Sequence, residues 1–355
     1  MEGIQTAVIG LGRIASLLED DRLREKPCTH AGAITANPEC RLAAGVDTDA
    51  ERRRLFAERW GCPVYADAET MLRTHRPGIL HIATHPDSHA RYCALALALG
   101  VQVVVCEKPL ADSLRDARRI AAFHAGGKLR ILVNHERRYQ GDYARAKEIL
   151  DRERLGRLLS VRGALYMGKN RRLFDVLWHD GTHLADALMF LSGRVMRHRR
   201  TWGALLSGRK GTLWLSGLLV HPPEGRSGLR VARMPWRREG TPSDEPVPFV
   251  IELGAGRDHL VFELEFSCEG GRLRIGNGIF EVWESEPSPY AERFRSLKRT
   301  AEGFTGPTGY FINMSRDAAA CFRDPRRQPL SSAVEGLRVI EYLNSVQVRR
   351  RRIGE

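Results

Sequence analysis

Ile79-Leu-His-Ile-Ala-Thr-His-Pro-Asp-Ser-His-Ala-Arg-Tyr-Cys-Ala-Leu-Ala-Leu-Ala-Leu-Gly-Val-Gln-Val-Val-Val-Cys-Glu-Lys-Pro-Leu-Ala111 is the stretch whose reading decides the fold. Ile79 to Ala83 is a short apolar run. Pro86 can open a helix, because the first helical position has no use for an N–H. The Ala/Leu-rich pattern that follows predicts a helix to Leu99, and Gly100 stops it. Val101 to Cys106 is β-branched and almost wholly apolar, the composition of a parallel strand buried on both faces. Glu107, Lys108 and Pro109 then stand at the carboxyl end of that strand, the edge of an open α/β sheet where ligands bind. A lysine delivered there is a candidate for chemistry. Taken by itself, the tripeptide can also be a tight turn with a solvated lysine.

Upstream, Thr6 to Ile9 is a buried-type strand that runs straight into Gly10-Leu11-Gly12-Arg13-Ile14-Ala15, a Gly-x-Gly-x-x-Ala turn. Gly10 permits the tight turn, Gly12 lets the backbone approach a pyrophosphate, and Ala15 lets a helix pack closely on the strand. The N–H groups opening that helix, around Arg13 and Ile14, would face the phosphates. Arg41 to Val46 predicts a second strand, closed by Asp47. A carboxylate there accepts hydrogen bonds from the adenosine ribose 2′-hydroxyl and repels a 2′-phosphate, which favours NAD over NADP. Asp47 can alternatively cap the helix expected from about Asp49 to Trp60.

Between the glycine turn and His30, Asp20-Asp-Arg-Leu-Arg-Glu-Lys-Pro27 interrupts what should be one helix. It reads as an inserted loop of roughly ten residues over the cofactor side of the sheet. It is either a surface elaboration or a lid whose Arg22, Arg24 or Lys26 touches ligand. A strand at Val64 to Ala66, helices at Ala68 to His75 and Asp112 to His124, and a strand at Leu129 to Asn134 complete the alternation. Strands alternating with helices predict a doubly wound parallel sheet, an α/β Rossmann domain over residues 1–135.

Beyond Tyr139 the pattern changes. A helix from about Asp142 to Asp151 leads through Gly156 into an alternating strand, Leu158 to Met167, and another helix covers about Asp180 to Leu191. Polar/apolar alternation then predicts strands at Gly211 to Val220, Pro248 to Leu253, His259 to Cys268, Gly271 to Ile275 and Phe280 to Trp283. Such a run predicts an α+β domain with a large, mostly antiparallel open sheet over residues 136–330. Residues 221–247, rich in Pro, Gly and Arg, read as hairpin loops around a strand. Helices are expected near 290–303, 309–323 and 332–347. The last, with its basic tail, makes a segment 331–355 that packs back on the N-terminal domain.

The 355 residues suffice for two domains. With 43% hydrophobic and 28% charged residues, the composition is that of an ordinary globular protein. No run of ~18 apolar residues offers a membrane span. The first residues enter a strand without the basic segment, apolar core and cleavage site of a signal peptide. Seven cysteines with no Cys-x-x-Cys pair are the usage expected of a reduced, cytoplasmic protein without a disulfide framework or zinc site. The net charge of +13 lies partly in Arg52 to Arg54, Arg197 to Arg200, Arg233 to Arg238 and Arg349 to Arg352. Solvated faces account for such clusters, and a field that draws in an anionic dinucleotide or sugar phosphate is the sharper reading. No nucleic-acid partner is expected, because the charge is spread out and no binding signature accompanies it.

Trp178-His-Asp-Gly-Thr-His-Leu-Ala-Asp186 is the second informative stretch. On a helix, His179 and His183 lie one turn apart on one face, with Asp186 close to His183. Paired histidines can hold a metal, but without a His-Glu-x-x-His run or a marked third ligand no metal is expected. Two histidines capping a helix and lining a cleft is the other reading.

Gly10-x-Gly12-x-x-Ala15, Asp47, the Ala83-Thr84 turn with His89, Glu107-Lys108-Pro109 and Gly181-x-His183-x-x-Asp186 together resemble, in order and spacing, the Gfo/Idh/MocA oxidoreductases. The resemblance covers nearly the whole chain. It implies an N-terminal Rossmann domain and a C-terminal domain whose open sheet often mediates oligomers, here a homodimer or homotetramer. It also implies a cleft where a hydroxyl of a sugar or cyclitol is oxidised, or a ketone reduced. Lys108 would be the catalytic lysine and His183 the catalytic histidine, with Thr84, His89 and Glu107 seating NAD. Many members carry Asp four residues before the histidine, where this chain has His179. Asp180 is adjacent, but about 100° away on a helix. Either His179 replaces the carboxylate in the proton relay or the chemistry is altered. Asn134-His-Glu-Arg-Arg-Tyr139 is loosely similar to the family's Asn-Arg-Arg-Phe region. Arg138 and Tyr139 therefore join Lys108, His179, Asp180 and His183 as candidates for substrate contact.

The chemistry suits these groups. As hydride leaves the substrate carbon for nicotinamide, the hydroxyl proton must be removed. Burial and the positive nicotinamide ring both disfavour an ammonium at 108, and an imidazole at 183 can accept or relay the proton. In the reducing direction a charged Lys108 would polarise the carbonyl. The basic surface favours a sugar phosphate or nucleotide sugar over a neutral polyol. Two alternatives stand beside this reading. One is an NAD-dependent glycosidase that oxidises, eliminates, hydrates and reduces back its sugar. The other is a non-catalytic dinucleotide-sensing regulator, against which the presence of both Lys108 and His183 argues.

Overall fold

Six short apolar runs pair side by side in parallel: β1 (Ile4–Ile9), β2 (Cys40–Val46), β3 (Val64–Tyr65), β4 (Ile79–Ile82), β5 (Val103–Cys106) and β6 (Arg130–Val133). Their order is β3-β2-β1-β4-β5-β6. The chain runs outward from β1 to β3 and returns to β4 on the other side of β1. The loops leaving β1 and β4 therefore part at the carboxyl edge and open a crevice there. The helices between the strands start on side-chain caps: Thr29 before α1 (His30–Ala36), Asp49 before α2 (Ala50–Trp60), Asp67 before α3 (Ala68–His75) and Ser113 before α5 (Leu114–Ala125). α4 (Pro86–Ala98) opens on its proline instead.

The computed structural model describes residues 3–169, 171–207, 210–222 and 245–346. The loops expected at 221–247 and the arginine tail thus lie largely or wholly outside the described residues. The chain divides into two units, one from the N-terminus to Gly141 together with Gly306–Ile340. The other comprises the described residues between Asp142 and Thr305 and from Glu341 to 346.

The first unit takes in a helix that the sequence reading grouped with the second domain. Tyr310, Phe311, Met314, Ala318 and Cys321 of α9 (Tyr310–Arg323) pack with Ile79, Val103, Val105 and Leu132 of the parallel sheet. The reason is coverage. β4 and β5 are buried at every residue, and α1, at seven residues, is too short to cover that face by itself. Ala333 and Ile340 of α10 (Ala333–Ser345) belong to the core on the opposite face.

The inserted segment is present where the sequence placed it. A single 3₁₀ turn, Leu17–Asp20, ends the first helical attempt, and α1 begins at His30. Lys26 turns back into its own loop, donating to Asp21 O at 2.7 Å and Leu18 O at 3.2 Å. Glu25 reaches the start of α9, accepting from Gly309 N at 2.6 Å, Thr308 N at 2.7 Å and Thr308 Oγ1 at 2.9 Å. Burial pushes the Glu25 carboxyl up, but the Gly309 and Thr308 hydrogen bonds outweigh it and hold it below its ordinary value.

In the second unit, α6 (Gly141–Asp151) leads to β7 (Leu158–Gly168), and α7 (Leu173–Asp175) to α8 (Gly181–Ser192). The sheet runs β14-β13-β12-β11-β7-β10-β9-β8 and is antiparallel except where β10 pairs with β7. The remaining strands are β8 (Val195–Ser207), β9 (Lys210–Val220), β10 (Val247–Arg257), β11 (Val261–Cys268), β12 (Gly271–Gly276), β13 (Ile279–Pro287) and β14 (Arg295–Arg299). Leu184 and Ala185 of α8 line one small cavity with Leu215, Ile251 and Leu253 on one face. On the other, Arg274 binds Glu263 at 2.6 Å and Glu281 at 3.1 Å, while Trp202 stacks on Trp214.

One expectation fails here. Residues 295–299 are a strand, where a helix was expected near 290–303, because Lys298 and Arg299 find Glu286 and Glu281 across the β13 pairing at 3.2 and 3.3 Å. The basic run at 197–200 lies within β8, a strand not expected from the sequence, with Arg197, Arg199 and Arg200 exposed.

Glu25→Gln should lower the melting temperature by a few degrees at pH 7. A carboxylate held below its unfolded value stabilises the fold above that value and loses the contribution as pH falls through the folded value. The deficit should therefore shrink on acidification to roughly pH 4 and below. Melting curves showing an equal deficit at both pH values would remove the clamp from the account of the insertion.

Candidate active site

The glycine turn leaves β1 at the switch point. Gly10 has φ +86°, and a Cβ there would lie 2.7 Å from Ala83 O and 2.9 Å from Thr84 Cγ2, so the β1 and β4 loops touch through glycine backbone. At Gly12 a Cβ would meet Arg52 Nη1 at 3.8 Å and nothing nearer, which leaves that backbone open to a ligand. Ser16 N bonds Gly12 O at 3.1 Å and Leu18 N bonds Arg13 O at 2.9 Å, so Arg13 and Ile14 sit on one helical turn rather than a long helix.

Asp47 ends β2 almost fully buried. Its Oδ2 accepts from Leu11 N at 2.8 Å and lies 3.6 Å from Arg52 Nη1, while Oδ1 accepts from Asp49 N at 2.9 Å. The cap of α2 is Asp49, which accepts from Glu51 N and Arg52 N. Asp47 instead ties the glycine turn to β2. An open glycine backbone with an acidic side chain beside it fits the pyrophosphate and ribose of a dinucleotide.

At the end of β5, Glu107 is buried. Its Oε1 receives Asn134 Nδ2 at 2.6 Å and His30 Nε2 at 2.8 Å, and its Oε2 accepts from Lys108 N at 3.2 Å. Burial pushes the Glu107 carboxyl up, yet the His30 hydrogen bond and charge, Asn134 and the Lys108 charge bring it below its ordinary value. His30 Nδ1 lies 2.8 Å from His81 Nδ1, and burial drives His81 well below the usual histidine range, so its ring stays neutral. The sequence reading did not include His30 or His81. Their signal was a histidine inside the apolar strand Ile79-Leu-His-Ile82 and another opening a buried helix.

Lys108 is partly exposed, one residue beyond this carboxylate. Thr84 Oγ1 pairs with Ser88 Oγ at 2.6 Å. His89 is fully buried, with Nδ1 and Nε2 each 3.1 Å from a carbonyl, those of Leu110 and Thr84, so it joins the loop carrying Thr84 to the turn after Lys108. Arg138 donates to Leu330 O at 3.2 Å. The Tyr139 ring belongs to the core beneath α9, and its hydroxyl donates to Asp317 at 3.1 Å.

In the second unit the histidine stretch departs from a regular helix. Val176–Asp180 forms a π-helical turn, with Gly181 N bonded to Val176 O, before α8 starts. His179 is exposed on that turn and its carbonyl accepts from Thr182 Oγ1 at 2.7 Å. Asp180 Oδ1 lies 3.5 Å from Arg171 Nη2. His183 is partly buried in the first turn of α8, and Asp186 is fully buried. The wider π turn breaks the even angular spacing expected for His179, Asp180 and His183 on one α-helix.

Sheet order, glycine turn and Asp47 define a dinucleotide-binding α/β protein. Residues 4–135 match the family model described as "Oxidoreductase family, NAD-binding Rossmann fold". An inositol 2-dehydrogenase of Rubrobacter xylanophilus is 34% identical over 128 residues, 36% of each chain. A D-apiose dehydrogenase of Paraburkholderia graminis is 29% identical over 192 residues, 51% of this chain and 50% of that one. This chain thus spans half the length or less of these curated relatives. The crystal structure of a dehydrogenase from Chromobacterium violaceum shares the fold, with TM-score 0.74, 14% identity and coverage of 98% of this chain and 94% of that one. The family match covers the dinucleotide-binding domain, and NAD is the cofactor that the family description names. Among the described residues no helix is long and apolar enough to cross a membrane.

Gly10→Ala should destabilise the protein by about 2 kcal/mol or more, because strain at positive φ adds to overlap with Ala83. Chemical denaturation measures the loss, and wild-type stability in the variant would contradict the close approach.

Proposed function

We propose that the chain is an NAD-dependent oxidoreductase that moves hydride between nicotinamide and a secondary alcohol or ketone of a sugar, cyclitol or sugar derivative. The observation that carries the reading is the Glu107-Lys108-Pro109 turn at the carboxyl edge of β5, in the sheet whose glycine turn and Asp47 fit a dinucleotide. Relatives named as inositol and D-apiose dehydrogenases support the substrate class. When bound, NAD supplies the hydride acceptor.

The chain's own groups handle the proton. Lys108 Nζ takes it from the substrate hydroxyl, or polarises the carbonyl in reduction, and His183 accepts or relays it, with His179 in the position of the usual carboxylate. Gly12, Asp47 and Thr84 hold and orient the dinucleotide. The reading requires Lys108 and His183 to act on one substrate. It also includes assembly of copies through the open sheet of the second unit, which sedimentation would check.

NADH absorbance across a panel of sugars, cyclitols and sugar nucleotides should reveal a substrate. A released glycan with no net NADH would point to the glycosidase instead. Lys108→Ala and His183→Ala should each lower turnover about a hundredfold or more, with NAD affinity retained. Because the two act as a unit, the double variant should lose far less than the product of the single losses. Full activity in either single variant refutes the assignment.

A further inference from the structure

His30 is buried without exposure, at the first position of α1 just after the insertion. Its Nε2 is 2.8 Å from Glu107 Oε1, its Nδ1 is 2.8 Å from His81 Nδ1, and its ring stands edge-on to Phe311 of α9 at 5.3 Å. We propose that His30 is a positioning residue for the Lys108 amine: it supplies the hydrogen bond and charge compensation that the Glu107 carboxylate requires, so that Lys108 is not drawn in to supply them. The inference rests on the reading of Lys108 as the reactive amine for its consequence in turnover, but not for its test.

A carboxylate removed from water needs donors in place of its lost hydration. Glu107 has three, from His30, Asn134 and the Lys108 peptide, and two of them converge on Oε1. Burial disfavours a charge on His81, and the hydrogen bond and charge that act on Glu107 from this pair come from His30. His89, buried between the Leu110 and Thr84 carbonyls, is the titratable group that α4 contributes near Glu107. α9 presents Phe311, which has no charge to offer. If the His30 donor is removed, Lys108, next in the chain, is a cation already acting on Glu107 through its charge. An amine drawn into an ion pair with Glu107 would be a slower nucleophile.

Competitive acetylation by acetic anhydride, at about pH 8 on the full chain, reads the amine directly. Mass spectrometry would compare Lys108 with the exposed Lys128 in the same sample. His30→Leu should slow Lys108 labelling at least about threefold, and adding Glu107→Gln should restore it to within about twofold, because the charge that captured the amine is gone. Unchanged labelling in His30→Leu, or a slowing that Glu107→Gln leaves in place, would overturn the proposal. If His30→Leu does not fold, Asn134→Leu removes the other donor to the same oxygen and is held to the same outcomes. Failure of the catalytic reading would show separately, as full turnover in Lys108→Ala.

Discussion

Taking the Glu107 carboxylate out of water is the constraint to which much of the first unit answers. An isolated buried carboxylate is among the costliest groups a fold can hold, and the cost falls only as donors replace its water. Here the donors come from three places: the peptide of Lys108, the side chain of Asn134 after β6, and His30 at the start of α1. The third dictates where α1 restarts. His30 reaches Glu107 only if the chain leaves the glycine turn, makes its excursion through residues 21–28 and returns, and the Glu25 contacts with Thr308 and Gly309 hold that excursion. α9, which begins there, brings Phe311 against the His30 ring.

Asp47 shows the same economy on a smaller scale. Its carboxylate is satisfied by the Leu11 and Asp49 peptides, so one buried charge fixes both the glycine turn and the approach to α2. In the second unit charge is managed across strands. Arg274 bridges Glu263 and Glu281 from neighbouring strands, and the basic β14 lies against the glutamates of β13. Part of a strongly basic composition is thus absorbed by pairing within the sheet.

Much of this was legible in the sequence. Gly10, Gly12, Asp47 and the Glu107-Lys108-Pro109 turn fall at strand ends because apolar runs and glycine stops are local signals. The helix expected at 290–303 misled because Arg295 to Arg299 carries no alternation of its own, and its strand character comes from carboxylates on β13. β8 went unread for a similar reason, its arginines interrupting the apolar pattern. The π turn at Val176–Asp180 has no periodic signature at all. The Tyr139 hydroxyl is directed by Asp317, far away in the chain, a partner that its sequence neighbours do not record.

The sequence by itself determined the doubly wound sheet, the ligand edge and the residue types placed there, since these follow from hydrophobic period and from glycine and proline punctuation within short windows. Only the tertiary structure decided that α9 covers the parallel sheet and that His30 and His81, from separate elements, meet over Glu107. Hydrogen bonds and buried charges join residues distant in the chain, and no local pattern records which donor a carboxylate will find once water is gone.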